Sequence, residues 1–221
     1  MNIYEEGKVL LINKPYDWTS FDVVRKLRNL LKIKKIGHAG TLDPLATGLL
    51  ILCTGKFTKK INEYMAKEKE YTGTIVLGAT TPTCDLESIP GNFRDYSNIT
   101  QADADKAAAA LTGDIMQTPP IYSAIKKDGK RAYDRARKGE EFELKARPVH
   151  IKEFSAELVS AEVHFRIVCS TGTYIRSVAN DLGELLGCGG YLSALCRTRI
   201  GEFELKDAWT MEEALEKLNQ P

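Results

Sequence analysis

A carboxylate set in a glycine-rich loop is the first feature of this chain that could do chemistry. The stretch GHAGTLDPLATGLL, residues 37–50, packs His38, Asp43, three glycines and Pro44 ahead of an apolar run, LLILCT. Glycine at this density holds a backbone in conformations that other residues rarely reach. Pro44 restricts Asp43 to extended geometry, so the carboxylate is expected to project from the loop rather than cap the residues after it. Taken alone, the residues leave two readings open. Asp43 makes a local Asx turn with neighbouring amides, or it is presented to a substrate.

Positive charge is the second feature. The formal net charge is only +1, but its distribution is uneven. Residues 25–35 carry Arg25, Lys26, Arg28, Lys32, Lys34 and Lys35 with no acid among them. Residues 126–138 carry Lys126, Lys127, Lys130, Arg131, Arg135, Arg137 and Lys138 against Asp128 and Asp134. Clusters of this kind mark a phosphate-binding face or a solvated surface.

Several other chemistries lack their residues. The chain has no GxxxxGK[ST], GxGxxG, GxSxG or HExxH pattern, so nucleotide-driven, NAD-dependent and serine-hydrolase mechanisms have no support in it. Five cysteines, none spaced as CxxC, and three scattered histidines argue against a zinc site. The cysteines read as free thiols of a reducing cytoplasm.

Elements must position these groups. KVLLIN (8–13) and LLILCT read as strands, as does EYTGTIVLGAT (70–80). Thr19 and Asp22 form a capping box ahead of Phe21, Val24, Leu27 and Leu31 at helical spacing, which predicts a helix over 20–31. Thr100 and Asp103 cap an alanine-rich helix that ends near Gly113, and Thr210 and Glu213 cap a final one. VHFRIVCS (163–170) alternates as a half-buried strand. Ile175, Val178, Leu182 and Leu185 then mark a helix that stops at Gly187.

Strands and helices interleave without a regular βαβ rhythm, which predicts an α+β fold. A chain of 221 residues, 43% hydrophobic and 28% charged, is expected to be one soluble globular domain, 1–221. The exception is a polar, basic excursion over 121–147, bracketed by Pro119-Pro120 and Pro148. No apolar run approaches the ~18 residues of a membrane span, and the first residues lack a signal-peptide layout, so the expected location is cytoplasmic.

GHAGTLDPLATGLL also closely resembles the GHxGxLDPxATGxL motif of the TruB family of tRNA pseudouridine synthases. KVLLINKP, KEYTGTIVLG, TPPIYSAIKKDGKRAYDRARKG, CSTGTYIRSVANDLGELLG and LCRTRIG resemble further motifs of that family, in the family's order, from about Gly7 to about Leu205. The resemblance implies a pseudouridine synthase fold with a mixed, mainly antiparallel sheet and an RNA-gripping thumb at 121–147. It implies conversion of uridine to pseudouridine at position 55 of the tRNA T loop, by base flipping and without cofactor or metal.

Roles carry over residue by residue. Asp43 matches the catalytic carboxylate, Arg176 its charge partner, and Tyr71 the tyrosine against the flipped base. Tyr174 and Leu195 match walls of the base pocket, and His38 the histidine that fills the vacated space. Lys14, Tyr122 and Lys126 are supporting motif residues, and Lys130, Arg131 and Arg135 are expected to reach phosphates of the T stem-loop.

Two departures accompany the match. Only residues 206–221 follow Leu205, so no C-terminal PUA module is expected, and a guide-RNA-dependent mode is disfavoured with it. No protein partner is implied, and a monomer is expected. The family's acidic TDTxD turn is here Thr81-Pro82-Thr83-Cys84-Asp85, which puts that turn's hydrogen bonds in question. A T-arm-binding RNA chaperone without catalysis is the alternative, since the basic clusters serve it equally well.

Overall fold

The structure, a computed structural model, describes residues 3–123, 126–127, 130–131, 142 and 144–219. Its elements in chain order are α1 (Ile3–Glu6), β1 (Val9–Lys14), α2 (Ser20–Leu31), β2 (Ile36–Ala39), β3 (Thr47–Thr54), α3 (Ile61–Met65) and β4 (Lys69–Leu77). There follow α4 (Gln101–Ala110), β5 (Gly113–Gln117), β6 (Lys126–Lys127), β7 (Lys130–Arg131), β8 (Arg147–Val159) and β9 (Glu162–Cys169). The last are α5 (Ile175–Leu185), β10 (Gly190–Ile200), β11 (Phe203–Glu204) and α6 (Met211–Leu218). Strands and helices are mixed and most strand pairs are antiparallel, an α+β fold.

The chain divides into two compact units, Met1–Thr72 with Ala194–Pro221, and Gly73–Ser193. In the first unit β3 is central. It pairs antiparallel with β1, from Val9 opposite Cys53 to Lys14 opposite Gly48, and antiparallel with β2. At its start β3 runs parallel to β10, Thr47 opposite Cys196. The run TGLLILCT is buried from Gly48 onward because both of its faces are covered. Leu50 and Leu52 join Leu10, Ile12, Val24, Leu27, Met211 and Leu218 on one side, where α2 and α6 pack. Leu49, Ile51 and Cys53 join Ala39 and Ile200 on the other. Each such aliphatic side chain contributes about 1.5–3 kcal/mol by leaving water.

The expected capping boxes all form. Thr19 with Asp22, Thr100 with Asp103, and Thr210 with Glu213 each satisfy two helix-start amides reciprocally. One expectation on α2 is corrected. Phe21 keeps helical spacing with Val24 and Leu27 but is 57% exposed, and Val23 takes its place in the stripe facing the sheet.

The second unit orders its strands β9–β8–β5, all antiparallel, with a bulge in β8 between Ile151 and Glu153. Val163, Phe165, Ile167 and Cys169 of β9 are buried, as their alternation requires. Helix α4 is tied to β8 by Gln101, which donates to the Ala156 carbonyl at 2.8 Å and accepts from the Leu158 amide at 2.7 Å. Leu185, placed on the inner face of α5 by periodicity, is instead 55% exposed at the end of that helix. Within the excursion, the two-residue strands β6 and β7 pair antiparallel, Lys126 opposite Arg131 and Lys127 opposite Lys130. Arg135 and Lys138 lie outside the described residues. No helix among the described residues is long and apolar enough to cross a membrane.

Candidate active site

In the first unit, Asp43 lies half-buried in the loop joining β2 to β3, and that loop is held at three points. Ser20, at the start of α2, donates its hydroxyl to the Leu42 carbonyl at 3.1 Å and accepts the Leu42 amide at 2.9 Å. Lys14, at the end of β1, directs its ammonium at the carbonyls of Pro15 (2.8 Å), Trp18 and Pro44 (3.1 Å). All three of its protons are thereby used. Arg197, on β10, donates from Nε to Leu49 O at 2.8 Å and from a terminal nitrogen to Gly40 O at 3.0 Å. Backbone turns complete the loop: Ala46 N donates to Asp43 O at 3.1 Å and Asp17 N to Pro44 O at 3.0 Å.

Both cations are unusual in their burial. Lys14 is 0% and Arg197 1% exposed. Long cationic side chains are rarely placed so deep unless their donors are satisfied, here by carbonyls. Burial pulls the Lys14 ammonium down to about 8, although Asp43, Asp17 and Asp22 act to raise it. His38, on β2, is pushed below the usual imidazole range by burial and by the Arg197 charge, so it is neutral at physiological pH. Among the described residues its buried Nδ1 makes no hydrogen bond of normal geometry, and a backbone contact with Gly40 opposes the shift.

Glycine is required at two positions here. Gly40 has φ +92°, in the left-handed region. Gly48 has φ +102°, and a Cβ there would lie 2.4 Å from the Arg197 carbonyl oxygen. Of the remaining first-unit residues, Tyr71 is buried on β4 and Leu195 half-buried on β10, where its carbonyl accepts from the Thr47 hydroxyl at 3.3 Å. Beside α2, an open cavity of about 280 Å³ is lined by Asp17, Trp18, Asp22, Arg25, Lys26 and Asn29.

In the second unit, Arg176 is buried in the first turn of α5. It donates to the carbonyls of Thr83 (3.1 Å) and Tyr122 (2.9 Å), and its Nε lies 3.6 Å from an Asp85 carboxylate oxygen. The departure from the acidic TDTxD pattern therefore leaves the turn intact. Pro82 occupies the second position of a β-turn closed by Cys84 N to Thr81 O at 3.0 Å, where proline's fixed φ is favoured. Asp85 then accepts the Glu87 amide at 3.0 Å while facing Arg176. Tyr174 is the N-cap residue of α5, with its main chain gripped by buried Gln117. Gln117 accepts from Tyr174 N at 2.8 Å and donates to Tyr174 O at 3.1 Å.

The described part of the basic excursion includes Tyr122, half-buried, and the backbone of Lys126, Lys130 and Arg131. Among the described residues no three His, Cys, Asp or Glu side chains gather where a metal could be held. The five cysteines are free thiols. Sequence reasoning does not single out Ser20, Arg197 or Gln117. Arg197 reads as one more charge in the run Arg-Thr-Arg, and only its contacts reveal a buried clamp.

The fold is that of the pseudouridine synthases. Its likeness to a chain in the crystal structure of a Cbf5-Nop10-Gar1 complex has a TM-score of 0.76 at 26% identity, covering 96% of this chain and 54% of that one. This protein thus spans about half the length of that solved chain. Residues 28–175 match the N-terminal domain of the TruB family pseudouridylate synthases, and residues 176–220 match the tRNA pseudouridylate synthase B C-terminal domain. The chain belongs to the TruB family. It is 50% identical over 213 residues to the tRNA pseudouridine synthase B of Flavobacterium johnsoniae, covering 93% of each chain. To the enzyme of that name from Phocaeicola vulgatus it is 49% identical over 224 residues, covering 98% of this chain and 95% of the other. It is accordingly an isomerase that makes pseudouridine from uridine.

Proposed function

We propose that this enzyme isomerises the uridine at position 55, in the T loop of tRNA, after flipping it out of the stack. The observation that carries the reading is the clamped loop: Lys14, Ser20 and Arg197 fix the backbone on both sides of Asp43, within a family motif. A carboxylate that acts on a sugar or a glycosidic bond needs a fixed approach, and a loop rigid before substrate arrives supplies it at no cost during reaction.

Asp43 in this reading assists cleavage of the bond between C1′ and N1 of the target uridine. The base stays bound, turns, and rejoins through C5; the proton that leaves C5 is matched by one gained at N1. Atoms balance without a cofactor, because product and substrate are isomers. Tyr71 is the group assigned to that proton, and Arg176 the fixed positive charge that the GTYIR motif implies. Tyr174 and Leu195 wall the base, and neutral His38 fills the space it vacates. Lys130, Arg131 and Arg135, with the charges of residues 25–35, take phosphates of the T stem, a contact that selects shape rather than sequence. Residues 1–221 act as one catalytic domain, as a monomer in the cytoplasm, without guide RNA or protein partner.

The test is product analysis. T-arm RNA is incubated with purified wild type and with Asp43→Asn, and pseudouridine is mapped by mass spectrometry and carbodiimide modification. Wild type is expected to convert one uridine of the loop. The Asn variant is expected to bind RNA within several-fold of wild type and to form product near background. RNA binding by a wild type that makes no pseudouridine would return the protein to a chaperone role.

A further inference from the structure

We infer that Arg147 is a binding site for one backbone phosphodiester of the RNA substrate, placed beside the base-pocket residue Tyr174. Arg147 opens β8 and is held extended by Pro148, the next residue. Its guanidinium carbon lies 5.0 Å from the centre of the Tyr174 ring, a cation–π stack. One terminal nitrogen donates to the carbonyl of Gly172, in the tight turn with φ +86° that precedes α5.

Among the described residues the rest of the group is unspent. No carboxylate among the described residues pairs with Arg147, although neighbouring carboxylates do find partners: Asp114 meets the His150 ring and Glu153 pairs with Arg166. Its Nε is buried and has no hydrogen-bond partner among the described residues. A guanidinium carries five donors in a planar fork, and one of them is taken by Gly172. A desolvated N–H without a partner costs about 1–3 kcal/mol, a cost that persists only where something else recovers it. The other terminal nitrogen makes no hydrogen bond among the described residues and is not shut off from solvent, so it is the donor that an arriving anion would meet, and a phosphodiester is such an anion.

Position makes this more than a stray surface charge. Gln117, the residue opposite Arg147 across the β5–β8 pair, grips both main-chain polar groups of Tyr174. Arg147 covers the ring of the same residue. Backbone and ring of Tyr174 are thus fixed by two neighbours that face each other, so the guanidinium is fixed relative to the pocket wall. The inference rests on the reading that Tyr174 borders the flipped base. A phosphate held there would anchor the backbone of the target nucleotide or of its immediate neighbour.

The test uses the full chain and T-arm hairpin RNA. Binding is measured as a function of salt for wild type, Arg147→Met and Arg147→Lys, and again with hairpins carrying one neutral methylphosphonate at each linkage flanking the target uridine. Arg147→Met is expected to weaken binding about tenfold and to flatten the salt dependence by about 0.7–0.9 of a unit, the share of one phosphate. Arg147→Lys is expected to restore the slope. One methylphosphonate should weaken wild-type binding similarly and erase the difference between wild type and Arg147→Met.

An unchanged slope in a folded Arg147→Met protein overturns the inference, even if affinity falls, because it leaves only a structural role on the Gly172 turn. If that variant does not fold, indifference of the wild type to every single methylphosphonate overturns it equally. Failure of the functional reading would appear separately, as a wild type that makes no pseudouridine.

Discussion

The ammonium of Lys14 lies 3.1 Å from the carbonyl oxygen of Pro44, so a fully buried cation holds the residue next to Asp43. The same nitrogen holds Pro15 and Trp18, which ties the exit of β1 to the loop carrying the carboxylate. Replacing Lys14 by Met keeps the apolar stem and removes three donors at once. Each carbonyl left dry costs about 1–3 kcal/mol, which together outweighs relief of one buried charge. Lys14→Met is expected to lower stability by about 2 kcal/mol or more in urea denaturation. It should also reduce kcat about a hundredfold through misplacement of Asp43, with RNA affinity little changed. A wild-type kcat in this variant would mean that the loop keeps its shape without the clamp.

Lys14 also sets a pH dependence whose sign can be worked out. Burial holds its folded value at about 8, below the 10.5 of an exposed lysine. Below pH 8 the group is protonated whether the chain is folded or not, and the cost of burying charge is fully present. Between pH 8 and 10.5 the unfolded chain binds the extra proton, so stability contributed by this residue rises with pH. The stability difference between wild type and Lys14→Met, which has no such titration, is expected to move in favour of wild type across that window. Urea denaturation at about pH 7 and about pH 9.5 measures it, and a difference that stays constant would place the Lys14 value outside the window.

Gly48 supports the clamp from the strand side. Its φ of +102° strains any other residue, and an added Cβ would meet the Arg197 backbone at 2.4 and 2.7 Å. Neither partner atom is a flexible side-chain end, so β10 must shift. Gly48→Ala is expected to destabilise the protein by about 2–4 kcal/mol, combining backbone strain with overpacking. Because Arg197 shifts with the strand, activity should fall further than the fraction unfolded explains. Thermal denaturation and kinetics at a temperature where the variant is folded separate the two effects.

How far these relationships can be read from the chain depends on their range. The helix α2 is legible to the residue, because Thr19, Asp22 and the apolar spacing are local signals. Strand β9 is legible from strict alternation. Strand β8 is not: in RPVHIKEFSAELV the inward residues Val149 and Ile151 alternate, but the bulge between Ile151 and Glu153 shifts the period by one, so Phe154, Ala156 and Leu158 fall out of phase with them. β10 escapes notice for a similar reason, since its half-buried residues keep no clean alternation. Asp43 is located by its glycines and Pro44, but its supports are not. Arg197 reaches the carbonyl of Leu49 across 148 residues and that of Gly40 across 157, and a side chain's bond to a distant carbonyl leaves no trace in residue type. Buried lysine and arginine look in sequence like solvated charges.

The contact between Arg176 and Asp85 yields the last prediction. Both side chains are 6% exposed, and the ion-pair distance of 3.6 Å is too long for a hydrogen bond. The guanidinium instead satisfies its geometry on the carbonyls of Thr83 and Tyr122, and the carboxylate on the Glu87 amide. Each member therefore has its own hydrogen bonds, and charge in a poorly screened setting joins them. Asp85→Asn preserves shape and the acceptor for Glu87 but leaves a buried cation opposite a neutral amide. Breaking a buried pair on one side costs about 3–5 kcal/mol, and the retained hydrogen bonds place this case at the lower end. Arg176→Gln should cost a comparable amount. Combined, the two changes should cost less than their sum by at least about 1.5 kcal/mol, since the second removes a contact that the first has already broken. That coupling should persist at about 0.5 M salt, where an exposed pair would lose it. Urea denaturation of the four proteins at two salt concentrations supplies the cycle, and additivity within about 0.5 kcal/mol would show that Asp85 shapes the turn without balancing the charge of Arg176.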